Sequence, residues 1–271
     1  MRKRWTSWPV RVVVVGGVIL AATLGGHGKP AQRSESGHQP YHAAPLAIPK
    51  QPAKAKPVCR SGSALGPSAA RSFAVTVRST AVARKAPGGG VVERFGRIDL
   101  NKYPTVLGVV GARVTADCSV TWYRVQLPTY PNGRTAWVSA RSVKAFAVRS
   151  RIVVHLSTRR LAVYRAGHVV LRAPVAVGAS STPTPTGRYF VNERFLLNDP
   201  RGPFGVAALG ISAHSDVLRN WVQGGPIALH GTDEPWAIGK AVSHGCIRLD
   251  NNVMQQLFRL APAGTPVDIR A

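Results

Sequence analysis

The chain has 271 residues, with 36 Lys and Arg against 11 Asp and Glu, for a formal charge of +25. That length admits one or two domains, and the charge calls for an anionic neighbourhood: nucleic acid, an anionic membrane surface or an acidic wall polymer. So few carboxylates argue against a calcium site.

In chain order, Arg2, Lys3, Arg4 and Arg11 introduce an apolar run from Val12 to about Gly26. This is the charged start and apolar core of an export signal. The run is short of the roughly 20 residues of a full span, and no clean small-x-small cleavage site follows it. Residues 1–26 therefore read as a signal peptide or as a retained N-terminal membrane anchor, with both open. Export removes nucleic acid as a partner. It leaves lipid headgroups or wall phosphates to match the charge, at the cell wall or the outer face of the cytoplasmic membrane. Residues 27–57 hold Pro30, Pro40, Pro45, Pro49, Pro52 and Pro57 among Ala, Lys and Gln. With little to bury, they form an extended, semi-rigid linker. His27, His38 and His42 are irregularly spaced there and read as solvated residues rather than metal ligands.

Residues 58–147 predict a small all-β unit. Short β-rich runs cover 73–77, 105–110, 120–127 and 135–138, divided by Pro87-Gly-Gly-Gly90, Tyr103-Pro104 and Pro131-Asn-Gly133. The Trp122-Tyr-Arg-Val-Gln-Leu127 run alternates as a half-exposed strand does, and Asn132-Gly133 is a hairpin signal. The stretch from Trp122 to Val143 resembles a bacterial SH3-like domain, a small β-barrel often found on wall enzymes. Its tryptophans suit either a ligand platform or the barrel core.

Three cysteines, Cys59, Cys118 and Cys246, are an odd number, and an exported protein can hold a disulfide. Cys59 and Cys118 share the N-terminal half and are expected to pair, leaving Cys246 as a free thiol.

Residues 150–271 read as a second β-rich domain. Short strands over 152–156, 161–164 and 168–171 form a meander, and Thr182-Pro-Thr-Pro-Thr-Gly187 makes a stiff turn. One short helix is expected, capped by Asp250, with Val253, Met254, Leu257, Phe258 and Leu260 as its apolar stripe and Pro262 and Gly264 as its stop. A last strand over 266–269 closes the domain.

The chemistry lies just before that helix, in His230-Gly-Thr232 and Ser243-His-Gly-Cys-Ile-Arg248. A thiol is mostly protonated at neutral pH and needs a base or a cationic neighbour to become a nucleophile. His230 can supply the base if the chain leaves a strand, loops through Pro235 and Gly239, and returns with Cys246 facing it. Gly245 permits a sharp turn that aims backbone N–H groups at a carbonyl oxygen. Zinc held by His230, His244 and Cys246 is an alternative, but His-x-Cys is an uncommon structural spacing and no C-x-x-C partner exists. No metal or cofactor is therefore expected.

This pattern resembles the L,D-transpeptidase (YkuD-like) catalytic domain, in which a His, a spacer and Ser/Thr-His-Gly-Cys followed closely by Arg recur in that order. The Thr-Pro-Thr-Pro-Thr-Gly run fits the family too. Papain-like wall peptidases place Cys first, and no sortase-type Thr-Leu-x-Thr-Cys strand is present. The resemblance implies Cys246 as the acyl-accepting nucleophile and His230 as general base and acid. The backbone carbonyl of Gly231 would orient His230, and Ser243 would join the catalytic set. The amides of His244, Gly245 and Cys246 would serve as oxyanion donors, and Arg248 would meet a substrate carboxylate or brace the site. Asp233 and Glu234 would be spectators or substrate contacts. The implied reaction takes a peptidoglycan stem tetrapeptide, releases D-alanine and passes the acyl group to a neighbouring stem, giving a 3-3 cross-link. Water as acceptor would make the enzyme an L,D-carboxypeptidase. A non-catalytic wall-binding protein is the rival reading, and a linker-tethered monomer is the default state.

Overall fold

A computed structural model describes residues 71–115 and 117–271. The expected signal or anchor, the linker and Cys59 lie outside the described residues. Among the described residues no helix is long and apolar enough to cross a membrane. The described residues are mainly β, with one short α-helix among them.

The first seven strands are β1 (Ser72–Val77), β2 (Thr80–Arg84), β3 (Val91–Gly96), β4 (Val106–Val114), β5 (Val120–Gln126), β6 (Thr135–Ser139) and β7 (Val143–Val148). They form one sheet in the order β3-β2-β6-β5-β4-β1-β7. The four anticipated runs became β1, β4, β5 and β6. The segments β2, β3 and β7 were not anticipated: β2 and β7 are rich in Ala, a weak strand former, and β3 breaks its apolar residues with Glu93 and Arg94 and lies at the sheet edge. Val75, Leu107, Val125, Leu127 and Val138 fill the interior of this sheet. Trp122 and Trp137 are half-buried and stand outside that core cluster. The Asn132-Gly133 signal falls in the connection of an antiparallel pair, β5 with β6, registering Gln126 opposite Thr135.

The remaining strands are β8 (Ser150–His155), β9 (Arg160–Arg165), β10 (His168–Pro174), β11 (Val177–Gly178), β12 (Gly187–Leu196), β13 (Ala207–His214), β14 (Pro226–His230), β15 (Ala241–Ser243), β16 (Ile247–Arg248) and β17 (Pro266–Arg270). Eight of them form a sheet in the order β10-β9-β8-β17-β12-β13-β14-β16, and β11 pairs with β15 separately. The meander β8-β9-β10 is as the sequence implied. The last strand closes the domain from the middle: β17 runs parallel to β8 and antiparallel to β12.

The strands β12 and β13 were not evident in the sequence. Glu193 and Arg194 interrupt the apolar pattern of β12, and β13 sets Leu209 and Ile211 among Ala, Gly and Ser, weak strand formers whose burial overrides propensity. The helix α1 (Asn251–Leu260) lies against β13. Met254 and Leu257 of α1 are fully buried with Leu209, Ile211 and Leu229, while Val253, Phe258 and Leu260 pack at the margin. Asp250 caps α1 as anticipated, accepting the Asn252 amide at 2.8 Å.

The two sheets touch. A Cβ on Gly108 of β4 would stand 2.8 Å from the Phe190 ring of β12, and Gln126 Nε2 donates to the Arg188 carbonyl at 2.6 Å.

Candidate active site

His230 is the last residue of β14 and Cys246 immediately precedes β16. These two strands are parallel neighbours, with Leu229 opposite Ile247 and His230 opposite Arg248. The chain between them leaves the sheet, makes a 3-10 turn over Pro235–Ala237 and returns through β15, so both residues reach one sheet edge.

The His230 ring is buried, 3 % exposed. Its Nδ1 lies 2.5 Å from the Gly231 carbonyl oxygen. A carbonyl can only accept, so Nδ1 carries the proton and Nε2 keeps its lone pair. Phe204, from the β12–β13 connection, meets the ring edge-to-face with centroids 5.0 Å apart. Burial drives the His230 pKa down to about 4. The Gly231 hydrogen bond and Asp233 oppose that shift, and the Arg248 guanidinium adds to it.

Cys246 is a free cysteine, packed round by protein yet partly accessible. Burial pushes its thiol up from the ordinary value, against a backbone hydrogen bond from Ala228 and the charge of Arg248, which both favour thiolate. Both shifts favour the uncharged forms: at neutral pH the pair rests as a thiol and a neutral imidazole.

The turn carrying Cys246 is held from within and from without. Ser243, 1 % exposed, donates to the Cys246 carbonyl at 2.5 Å and accepts the Gly245 amide at 3.1 Å. Its hydroxyl is thus engaged with the backbone of the turn on both counts. Gly245 has φ +113°, a conformation that calls for glycine, and a Cβ there would also press on Ile227 Cδ1 at 2.9 Å. From outside, Thr182 donates to the Ser243 carbonyl at 2.9 Å and Thr184 to the Gly245 carbonyl at 2.8 Å. Thr184 also accepts the Gly178 amide at 2.9 Å. The stiff Thr-Pro-Thr-Pro run is therefore a strap over the Cys246 turn. His244 is exposed, with its ring 5.4 Å from that of Trp221.

Opposite lies a second brace. Asn251, the first residue of α1, accepts the amides of Thr232 at 3.1 Å and Val206 at 3.4 Å through Oδ1, and donates to the Thr232 carbonyl at 3.1 Å. A Cβ on Gly231 would fall 2.1 Å from that Oδ1, so the residue whose carbonyl orients His230 must be glycine. Asn251 was not singled out in the sequence, where it follows a helix cap and looks like ordinary helix.

Of the two roles anticipated for Arg248, the structure bears on the brace: its guanidinium makes an ion pair with Glu234 and so joins β16 to the loop after His230. No group of three His, Cys, Asp or Glu among the described residues is arranged to hold a metal ion. Cys118 lies in the β4–β5 connection, and its expected partner Cys59 is outside the described residues. A cavity of about 340 Å³ between the two sheets, lined by Arg149, Arg151, Arg188 and Asp268 among others, is lined by none of the residues around Cys246.

The model of the YkuD L,D-transpeptidase catalytic domain matches residues 149–269. The chain is 38 % identical over 119 residues to a candidate L,D-transpeptidase YkuD of Bacillus licheniformis, spanning 44 % of this chain and 64 % of that protein. It is 34 % identical over 124 residues to the corresponding Bacillus subtilis protein, spanning 46 % of this chain and 68 % of that one. The match thus covers about two thirds of these relatives' length. The crystal structure of an Enterococcus faecium L,D-transpeptidase mutant is similar at 25 % identity and a TM-score of 0.32, over 44 % of this chain and 49 % of that chain. On the strength of its sequence relatives, the chain belongs to the YkuD family of L,D-transpeptidases.

Proposed function

We propose that this protein is a peptidoglycan L,D-transpeptidase that forms 3-3 cross-links through a thioester on Cys246. The observation that carries the reading is the fixed tautomer of His230: with Nδ1–H held by the Gly231 carbonyl, Nε2 is the available base on the strand beside the thiol. Cys246 sulfur attacks the carbonyl of the third stem residue while its proton passes to His230 Nε2. The tetrahedral oxyanion needs donors. The Gly245 amide is occupied by Ser243, so this task falls to the amides of His244 and Cys246. Collapse expels D-alanine, whose amine takes the proton from His230. The side-chain amine of a second stem then gives up a proton to His230, attacks the thioester and restores the thiol.

The wider setting belongs to the same proposal. The N-terminal sheet is an SH3-like wall module, residues 1–26 direct export, and residues 27–57 hold the folded part off the membrane. Cys59 pairs with Cys118, and the monomer works at the cell wall on stem peptides. The charge of +25 favours a polyanionic wall or membrane surface.

The test is mass spectrometry of a muropeptide with a tetrapeptide stem, incubated with the full chain and with Cys246→Ala. A cross-linked dimer less D-alanine, absent with the variant, supports the reading. A shortened monomer makes water the acceptor and the enzyme a carboxypeptidase. An unchanged muropeptide in both overturns catalysis and leaves a wall-binding protein.

A further inference from the structure

The segment between β13 and β14, residues 215–225, forms one rim of the Cys246 site. It carries Trp221, whose exposed ring lies 5.4 Å from that of His244, two residues before the nucleophile. A surface segment of this kind needs something to fix it. Inside the segment, Ser215 Oγ accepts the amides of Val217 and Leu218 at 3.3 and 3.0 Å, and the Ser215 amide donates to the Gly225 carbonyl at 2.8 Å.

The other supports come from the N-terminal sheet. At the base of the segment, Asn132 in the β5–β6 connection pairs with the backbone of His214 like a strand partner. Its Oδ1 accepts the His214 amide at 2.8 Å and its Nδ2 donates to the His214 carbonyl at 2.7 Å. At the far end, Asn101 in the β3–β4 connection accepts from Gln223 Nε2 at 3.0 Å through its Oδ1 and donates to Glu193 of β12 at 2.9 Å through its Nδ2. Gln223 is a non-glycine residue in the left-handed region, at φ +58°. That backbone carries a cost, and it is the conformation in which the side-chain amide reaches Asn101. Arg219, two residues before Trp221, lies over the Tyr130 ring at 5.5 Å. Three residues of two N-terminal loops thus hold the start, middle and end of the segment.

We propose that Asn101 and Asn132 are positioning residues of the active site: through the 215–225 segment, the N-terminal sheet sets Trp221 against His244 at the mouth of Cys246. The N-terminal unit is then part of the substrate cleft's scaffold, in addition to any role in wall attachment. The effect on turnover rests on the transpeptidase reading. The effect on the segment does not.

The experiment compares the full chain with Asn101→Ala/Asn132→Ala, with Trp221→Ala and with the triple variant. Hydrogen exchange reads the segment directly, and protection of residues 215–225 is expected to fall in the double variant while β8, β9 and β17 keep theirs. With the tetrapeptide muropeptide as acyl donor, KM is expected to rise about tenfold with kcat within about twofold. The asparagine changes should add nothing further in the Trp221→Ala background, as for groups acting through one shared element. Unchanged protection of 215–225 overturns the proposal even if the wild-type enzyme turns over no muropeptide. A KM rise that persists undiminished without Trp221 overturns the route through that side chain.

Discussion

Asn251 grips Thr232 from both sides: its Oδ1 accepts the Thr232 amide and its Nδ2 donates to the Thr232 carbonyl, each at 3.1 Å. One side chain at the start of α1 thereby fixes the turn that supplies the Gly231 carbonyl to His230. Asn251→Asp keeps the acceptor but loses both donated bonds, to Thr232 and to Pro200. The expected outcome is a stability loss of about 1–3 kcal/mol in urea unfolding together with a fall in kcat. Gly231→Ala should be worse, since its Cβ would collide with the same oxygen. If Asn251→Asp keeps wild-type kcat, the turn does not depend on this brace.

Thr184 links three pieces of the site, taking the Gly178 amide and donating to the Gly245 carbonyl. Thr184→Val preserves shape and strands both backbone groups in a buried place, where each unmade hydrogen bond costs about 1–3 kcal/mol. Acylation of Cys246 should slow by at least tenfold, read by mass spectrometry of the thioester. Thr184→Ser, which restores the hydroxyl, should recover most of that rate. Recovery in the serine variant separates the hydrogen bonds from simple packing.

That His230, Gly231 and Cys246 gather in one place was legible from His230-Gly-Thr and Ser-His-Gly-Cys because such a pattern is local and ordered. The helix was legible too, since Asp250 and the spacing from Val253 to Leu260 are local signals. What the sequence concealed is non-local. β13 is an interior strand in which small residues separate Leu209 from Ile211, and α1 covers it. The Thr182–Thr184 strap, the Asn251 brace and the Glu234–Arg248 pair join residues distant in the chain, and no periodicity announces them. The Ser243 hydroxyl binds the backbone of the turn it begins, a contact that the sequence did not specify.

Arg248 sits at the junction of these supports. Its backbone exchanges hydrogen bonds with Ala176, both at 2.9 Å, and its guanidinium holds Glu234. Glu234→Gln removes the carboxylate and frees the cation beside His230. Arg248 already presses the His230 pKa down, so with its counter-charge gone the imidazolium that forms during attack is less stable. A drop in kcat of about three- to tenfold is expected, with KM for a carboxylate-bearing stem unchanged or lower. A rise in KM at constant kcat would instead assign Glu234 to substrate binding.

His230 and Cys246 set the pH behaviour, and the two shifts have opposite signs with one consequence. The folded protein holds His230 at about 4, below its ordinary 6.5. As pH falls from 6.5 towards 4 the unfolded chain takes up a proton that the native site refuses, so stability is lost across that window and is fully present above it. For Cys246 the raised thiol binds its proton more tightly in the fold, so its contribution is lost only in the alkaline range, from the ordinary thiol value upward. Alkylation by a small thiol reagent should therefore climb steadily through neutral pH without the acid plateau of a preformed thiolate–imidazolium pair. His230→Ala should leave alkylation by that reagent at alkaline pH close to wild type, because the thiolate forms there unaided. Acyl transfer at neutral pH should fall by about 10²–10⁴, the usual worth of a general base. A plateau of thiolate reactivity near pH 5 that vanishes in His230→Ala would instead identify a resting ion pair and overturn the neutral-pair mechanism.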